Sequence, residues 1–150
     1  MKVLGIRTAP TQLRYSILEK NDDNIIFTNA NGEHLIKIPA GIDNFSDQLA
    51  WQRDEILRII RQNNDIEKIS LKIGEYGRSD TKASRLAAYF DAMVIIAAKE
   101  NNIPIETKIY NQLGTKRTDV KLHAEQRVGK TPTHWNEQIA DAIVAAWSVL

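Results

Sequence analysis

The stretch Val3-Leu4-Gly5-Ile6-Arg7 is an apolar run that stops on a guanidinium. Some enzymes end a first strand on a carboxylate that anchors a metal ion, so the fixed positive charge of Arg7 is the first residue to explain. Three acids stand where chemistry could use them. Glu75 lies in the polar loop GEYGRSD, and Glu137 and Asp141 lie one helical turn apart in NEQIADAIVAAW. Each also has a plain role available: loop acids are often merely solvated, and acids in a first helical turn are favoured by the helix dipole alone. Asp80 has the same ambiguity, as a possible cap for the helix that follows.

A second group is basic. Arg78, Lys82 and Arg85 follow Glu75 near Tyr76, and Lys116, Arg117, Lys121, Arg127 and Lys130 crowd the segment 108–130. There six basic residues stand against two acidic ones, in a chain whose net charge is only +1. Lys and Arg gathered in this way bind phosphates in a salt-dependent manner with little sequence preference. A basic helix facing water is the bland reading of the same residues. Trp135, in TPTHWN, could stack on a base, although packing is its simpler use; Trp51 and Trp147 read as core or partner-facing residues.

Other chemistries drop out. The chain has no cysteine, so it has no thiol nucleophile, disulfide or Cys-ligated zinc. His34, His123 and His134 are scattered, without HxxxH or HExxH spacing. The longest apolar run, AMVIIAA at 92–98, is far shorter than the roughly 20 residues that cross a bilayer. The run after Lys2 ends too early for the apolar core of a secretory leader. No membrane association and a cytoplasmic location are therefore expected.

The elements that must position these residues follow from period and punctuation. With 150 residues, 43% apolar and 26% charged, the chain suits one domain spanning 1–150 with a well-buried core. Residues 3–6 and 13–18 read as strands joined by TAPTQ; IIFTNA and HLIKIP extend an antiparallel meander. The period then changes. FSDQLAWQRDEILRIIRQNN reads as a helix with Ser46 as its N-cap and Leu49, Ile56 and Ile60 on one face. EKISLKI is a strand. A long helix from Ser79 or Asp80 to about Glu100 carries a predicted buried stripe of Leu86, Tyr89, Phe90, Met93, Ile96 and Ala97. IPIETKI is a further strand, residues 118–128 a basic helix stopped by Gly129, and a last helix begins near Asn136, with Ile139, Ile143, Val144, Trp147 and Leu150 inward.

This order resembles the ribonuclease H-like superfamily, and within it the RuvC-like Holliday-junction resolvases. VLGIRTAPTQLRYSIL is similar in length and rhythm to that family's first hairpin, where GID ends strand one. NEQIADAIVAAW is similar to its closing helix, in which two aspartates three apart precede a small, apolar run; the long helix and the NNIPI entry to the next strand also fit. The resemblance implies an α/β fold: a ribonuclease H-like mixed sheet, antiparallel meander plus parallel strands, flanked by helices. It also implies a site of four acids that hold Mg²⁺ or Mn²⁺ for in-line phosphodiester hydrolysis.

Residue by residue, little of that set is kept. Arg7 stands at the first acid position, and Lys72 or Ile73 at the second, with Glu75 displaced beyond Gly74. Gln138 stands at the third, beside Glu137, and Asp141 at the fourth. Two unit charges 4 Å apart repel by roughly 4 kcal/mol at an effective dielectric of 20, and a divalent ion doubles that. Arg7 is thus expected to displace the metal and pair with Asp141, Glu137 or Glu75.

Three readings result. The leading one is a catalytically degenerate relative without a cofactor, binding the DNA or RNA backbone weakly or an unidentified protein partner. The second is a Mg²⁺- or Mn²⁺-dependent, structure-selective endonuclease rebuilt on Glu75, Glu137 and Asp141, with Asp80 as a further acid. The third is a purely structural, self-associating protein. By analogy with the resolvases, a homodimer is expected.

Overall fold

The computed structural model describes residues 1–77 and 80–150, so Arg78 of the basic set and Ser79, a candidate helix start, lie outside the described residues. Eleven elements run along these described residues: β1 (Lys2–Ala9), β2 (Gln12–Asn21), β3 (Asn24–Phe27), β4 (Leu35–Lys37), α1 (Phe45–Gln62), β5 (Lys68–Lys72), α2 (Lys82–Glu100), β6 (Ile105–Lys108), α3 (Tyr110–Leu113), α4 (Val120–Val128) and α5 (Glu137–Trp147). The sheet order is β3-β2-β1-β5-β6, with β4 also pairing with β2. The strands of the N-terminal hairpins are antiparallel, whereas β1, β5 and β6 are parallel. The mixed sheet expected from the sequence is present.

Side chains alternate across a strand, and β1 shows what this does here. Leu4 and Ile6 enter one core with Ile56, Ile59 and Val94 of α1 and α2. Val3 enters a second core with Val120 of α4 and Ile139 and Ile143 of α5. Gly5 and Arg7 share the α5 face with Val3. At Gly5 the helix comes so close that an added Cβ would lie 2.0 Å from the Ala142 carbonyl oxygen and 2.8 Å from Ala146 Cβ. Gly5 is paired with Ser16 on one side and Ser70 on the other, so a row of three small residues seats α5 on the sheet. Residues 139–146 of that helix are all buried.

Several local expectations are corrected. Asn44, not Ser46, caps α1, its side-chain oxygen accepting from the Ser46 backbone N–H. Thr81 caps α2 in a reciprocal box with Ser84, while Asp80 pairs with Arg85. The buried line of α2 runs through Phe90, Asp91, Val94, Ala97 and Ala98; Tyr89 and Ile96 of the expected stripe are exposed. Helix α2 carries apolar residues on most of its circumference, so spacing alone picks no unique face. The basic helix begins at Val120 rather than 118, and the single turn α3 was not foreseen.

Candidate functional site

Two residues beyond the small row, the same register produces its opposite. Arg7 is paired with Arg14 on β2 and with Lys72 on β5, and Lys72 with Lys108 on β6. Directly paired residues share a face, so four basic residues form one rung across the sheet. Like charges in that arrangement are destabilising unless compensated. Compensation arrives from α5, from the segment after β5, from α3 and from β6 itself.

The first is α5. Seated at Gly5, it brings Asp141 against Arg7, with Nε 3.3 Å from Oδ2. This is a charge contact rather than an aligned hydrogen bond, because the buried Arg7 Nε–H has no acceptor in line among the described residues. The guanidinium instead donates to the Lys72 carbonyl at 3.0 Å. The second is the segment after β5. Lys72, 1% exposed, donates from Nζ to Glu75 at 2.8 Å and to the Ile73 carbonyl, and lies 4.0 Å from the centre of the Tyr110 ring. The third is α3. Its first residue, Tyr110, donates its backbone N–H to Glu75 and its hydroxyl to Asp141, at 2.9 and 2.8 Å. Glu106 neutralises the outer end of the rung through Lys108 and Lys68 and is held down at about 2 by those two contacts.

Glu75, Glu137 and Asp141 line one polar pocket of about 150 Å³ with Arg7, Lys72 and Tyr110. Glu137 is drawn to Arg117 of the α3–α4 connection, 2.7 Å away. Burial pushes Asp141 above the usual carboxylate range, against the pull of Arg7, and pushes Lys72 below the usual ammonium range. For both groups desolvation is the larger effect, as expected where ions are buried in pairs. Among the described residues, no three His, Asp or Glu side chains come close enough to hold a metal ion.

The basic set is divided. Arg85, Arg117 and Lys130 are tied to Asp80, Glu137 and Glu125. No carboxylate of the described residues lies within ion-pair reach of Lys82, Lys116, Lys121 or Arg127. Trp135 packs against the second core, and His34 is buried with both ring nitrogens on backbone carbonyls.

Sequence reasoning missed several members of the site. Lys72 and Arg14 were the legible ones, as single charges inside the apolar runs ISLKI and LRYSIL. Arg14 is 6% exposed and reaches only neutral acceptors, Gln138 and the His134 carbonyl. Asp91, on the opposite face of the sheet, accepts a 2.5 Å hydrogen bond from Thr8, and burial raises it to about 6. Tyr110 and Asp91 carried no sequence signal, because their roles depend on contacts across the chain.

No family model and no curated protein matches the sequence. Solved structures do match. Thermus thermophilus RuvC in complex with a Holliday junction substrate is similar with a TM-score of 0.80 at 16% identity, over 99% of this chain and 92% of that one. Fowlpox virus resolvase, solved with substrate Holliday junction DNA, gives 0.56 at 10% identity over 99% and 96%. The yeast mitochondrial Holliday junction resolvase gives 0.55 at 14% identity over 97% and 76%. The chain has the ribonuclease H-like fold of RuvC.

Proposed function

We propose that this chain is a nucleic-acid-binding module on a resolvase fold, in which side-chain cations stand where divalent ions would be held and phosphodiester hydrolysis is absent. One observation carries the reading: Arg7 sits on Asp141, and Lys72 on Glu75. A divalent ion 4 Å from either cation is repelled by roughly 8 kcal/mol at an effective dielectric of 20. Lys72 can shed its proton; a guanidinium cannot. The donor set therefore does not fit Mg²⁺ or Mn²⁺.

Nucleic-acid binding is supported by the two neighbours solved on junction DNA and by the four cations left without carboxylates. With so few free cations, affinity is weak and salt-dependent. A protein-facing role has one observation of its own: Tyr89, Ile95 and Ile96 leave an exposed apolar face on α2, open to a second copy or another protein. Sedimentation of the protein alone reads self-association.

The test is incubation with labelled four-way junctions and single strands in Mg²⁺ and Mn²⁺. The expected result is retarded but intact DNA. Cuts that disappear in an Asp141→Asn variant would overturn the proposal in favour of a nuclease using Glu75, Glu137 and Asp141. No binding even at low salt would favour the structural, self-associating role.

A further inference from the structure

A cleft of about 810 Å³ opens between the α3–α4 connection, α4 and the C-terminal end of α5, away from the rung. Its lining combines three kinds of group. Flat surfaces come from Trp147 and from Arg127, whose guanidinium carbon lies 4.9 Å from the indole centre. Leu122, 59% exposed, adds an apolar wall. Hydrogen-bonding edges come from Gln126 and from His123, which burial and the neighbouring Arg127 hold below the ordinary imidazole range. A neutral ring presents one donor and one acceptor.

The third kind is charge. Lys116 and Arg127 are both in the lining, and neither is within ion-pair reach of a carboxylate of the described residues. Asp119 is the one acid on the lining, and it accepts from the Thr118 hydroxyl. Stacking planes, amide-like edges and unneutralised cations in one cleft match a nucleobase carrying its phosphate. Bases stack on aromatic and guanidinium planes, and lysine meets phosphate as a point charge. An acidic peptide would use the cations and leave the planes idle.

The cleft and the pocket described above are lined from one shared segment. The turn at Gly114, with φ of +64°, leads into residues 115–119. Within it Lys116 lines the cleft, while Arg117 reaches the polar pocket and Glu137. Adjacent residues thus serve both places, so a strand passing the pocket meets the cleft next.

We infer that this cleft takes an unpaired nucleobase together with its phosphate, presented by a single-stranded stretch of a polynucleotide. The inference rests on the nucleic-acid-binding reading but assigns a different place and a different preference. Its test uses the full chain and three ligands: a labelled single strand, the same strand annealed to its complement, and free AMP as competitor. The wild type should favour the single strand by at least about fivefold, the low end of what one stacked base contributes. Arg127→Lys keeps the charge and removes the plane, so it should abolish that preference, read as the ratio of single-strand to duplex affinity. Trp147→Phe should reduce the preference, and photocrosslinks from a 5-iodouracil strand should map to Trp147 or His123.

Equal affinity for single strand and duplex, or crosslinks elsewhere, would overturn the cleft while leaving nucleic-acid binding intact. Displacement of the strand by micromolar AMP would overturn the polynucleotide and assign the cleft to a free nucleotide. No binding to either DNA at low salt would remove both readings.

Discussion

At the scale of single residues, the molecule turns on charges held where water cannot reach them. Asp141 has only 3% of its side chain exposed, and Arg7 beside it cannot neutralise, so the pair stands or falls together. If the cations stand in for ions, reversing both should reopen the place. The double variant Arg7→Asp, Lys72→Glu is expected to take up Mn²⁺ in calorimetry where the wild type takes up none. Absence of uptake by a folded double variant would mean that the rung never substituted for metal.

Asp91 gives a second prediction. Its carboxyl, raised to about 6 by burial, accepts from Thr8 and feels the charges of Arg7 and Lys72 on the other face of the sheet. Because its proton is bound more tightly in the folded chain, its favourable contribution is complete below about pH 4. It is lost as pH rises through 6. The gap between about 6 and the ordinary value corresponds to roughly 3 kcal/mol as an upper figure. Asp91→Asn should therefore gain stability relative to wild type between pH 4 and pH 7.5 by up to that amount, read from urea midpoints. A constant difference across that range would show that Asp91 binds its proton no more tightly in the folded chain than in the unfolded one.

At the scale of elements, α5 is the part on which the site depends. Asp141 meets Arg7 only because the helix lies directly on Gly5, between the buried hydroxyls of Ser16 and Ser70, which have no hydrogen-bond partner among the described residues. A methyl group there must move helix backbone, not a flexible side chain. Gly5→Ala is expected to destabilise the fold by about 1–3 kcal/mol, the usual range for overpacking. The Arg7–Asp141 contact should loosen with it. Ser70→Ala, in the same row, should cost little by comparison.

The elements also show what a sequence can disclose. The strands of β1, β2 and β5 and the whole of α5 were legible because each couples a strong period to clear turn residues. The face of α2 was not, since an evenly apolar helix leaves the choice to tertiary packing. Arg7 was legible as an anomaly at a strand end. Arg14 and Lys72 stood out as lone charges inside apolar runs, but their meeting in one rung did not, because register between β2, β1, β5 and β6 brings together residues up to about a hundred positions apart.

At the scale of the whole molecule, a net charge of +1 predicts almost no attraction for nucleic acid, and only the distribution of charge can supply it. The β5–α2 and α3–α4 segments flank Arg7, which lines both the polar pocket and the neighbouring groove beside α2. Of their described basic residues, Lys82, Lys116, Lys121 and Arg127 are free to meet phosphates, while Arg85, Arg117 and Lys130 are occupied. Four contacts set the slope of log affinity against log salt near −3 to −4 for duplex DNA. Between 50 and 200 mM salt, binding should then weaken roughly a hundredfold in an anisotropy titration. Lys121→Ala, outside the cleft, should flatten the slope by about one, and Lys130→Ala should barely change it. A slope near zero would mean that whatever this molecule recognises is not held by phosphates, and would leave the exposed face of α2 as its working surface.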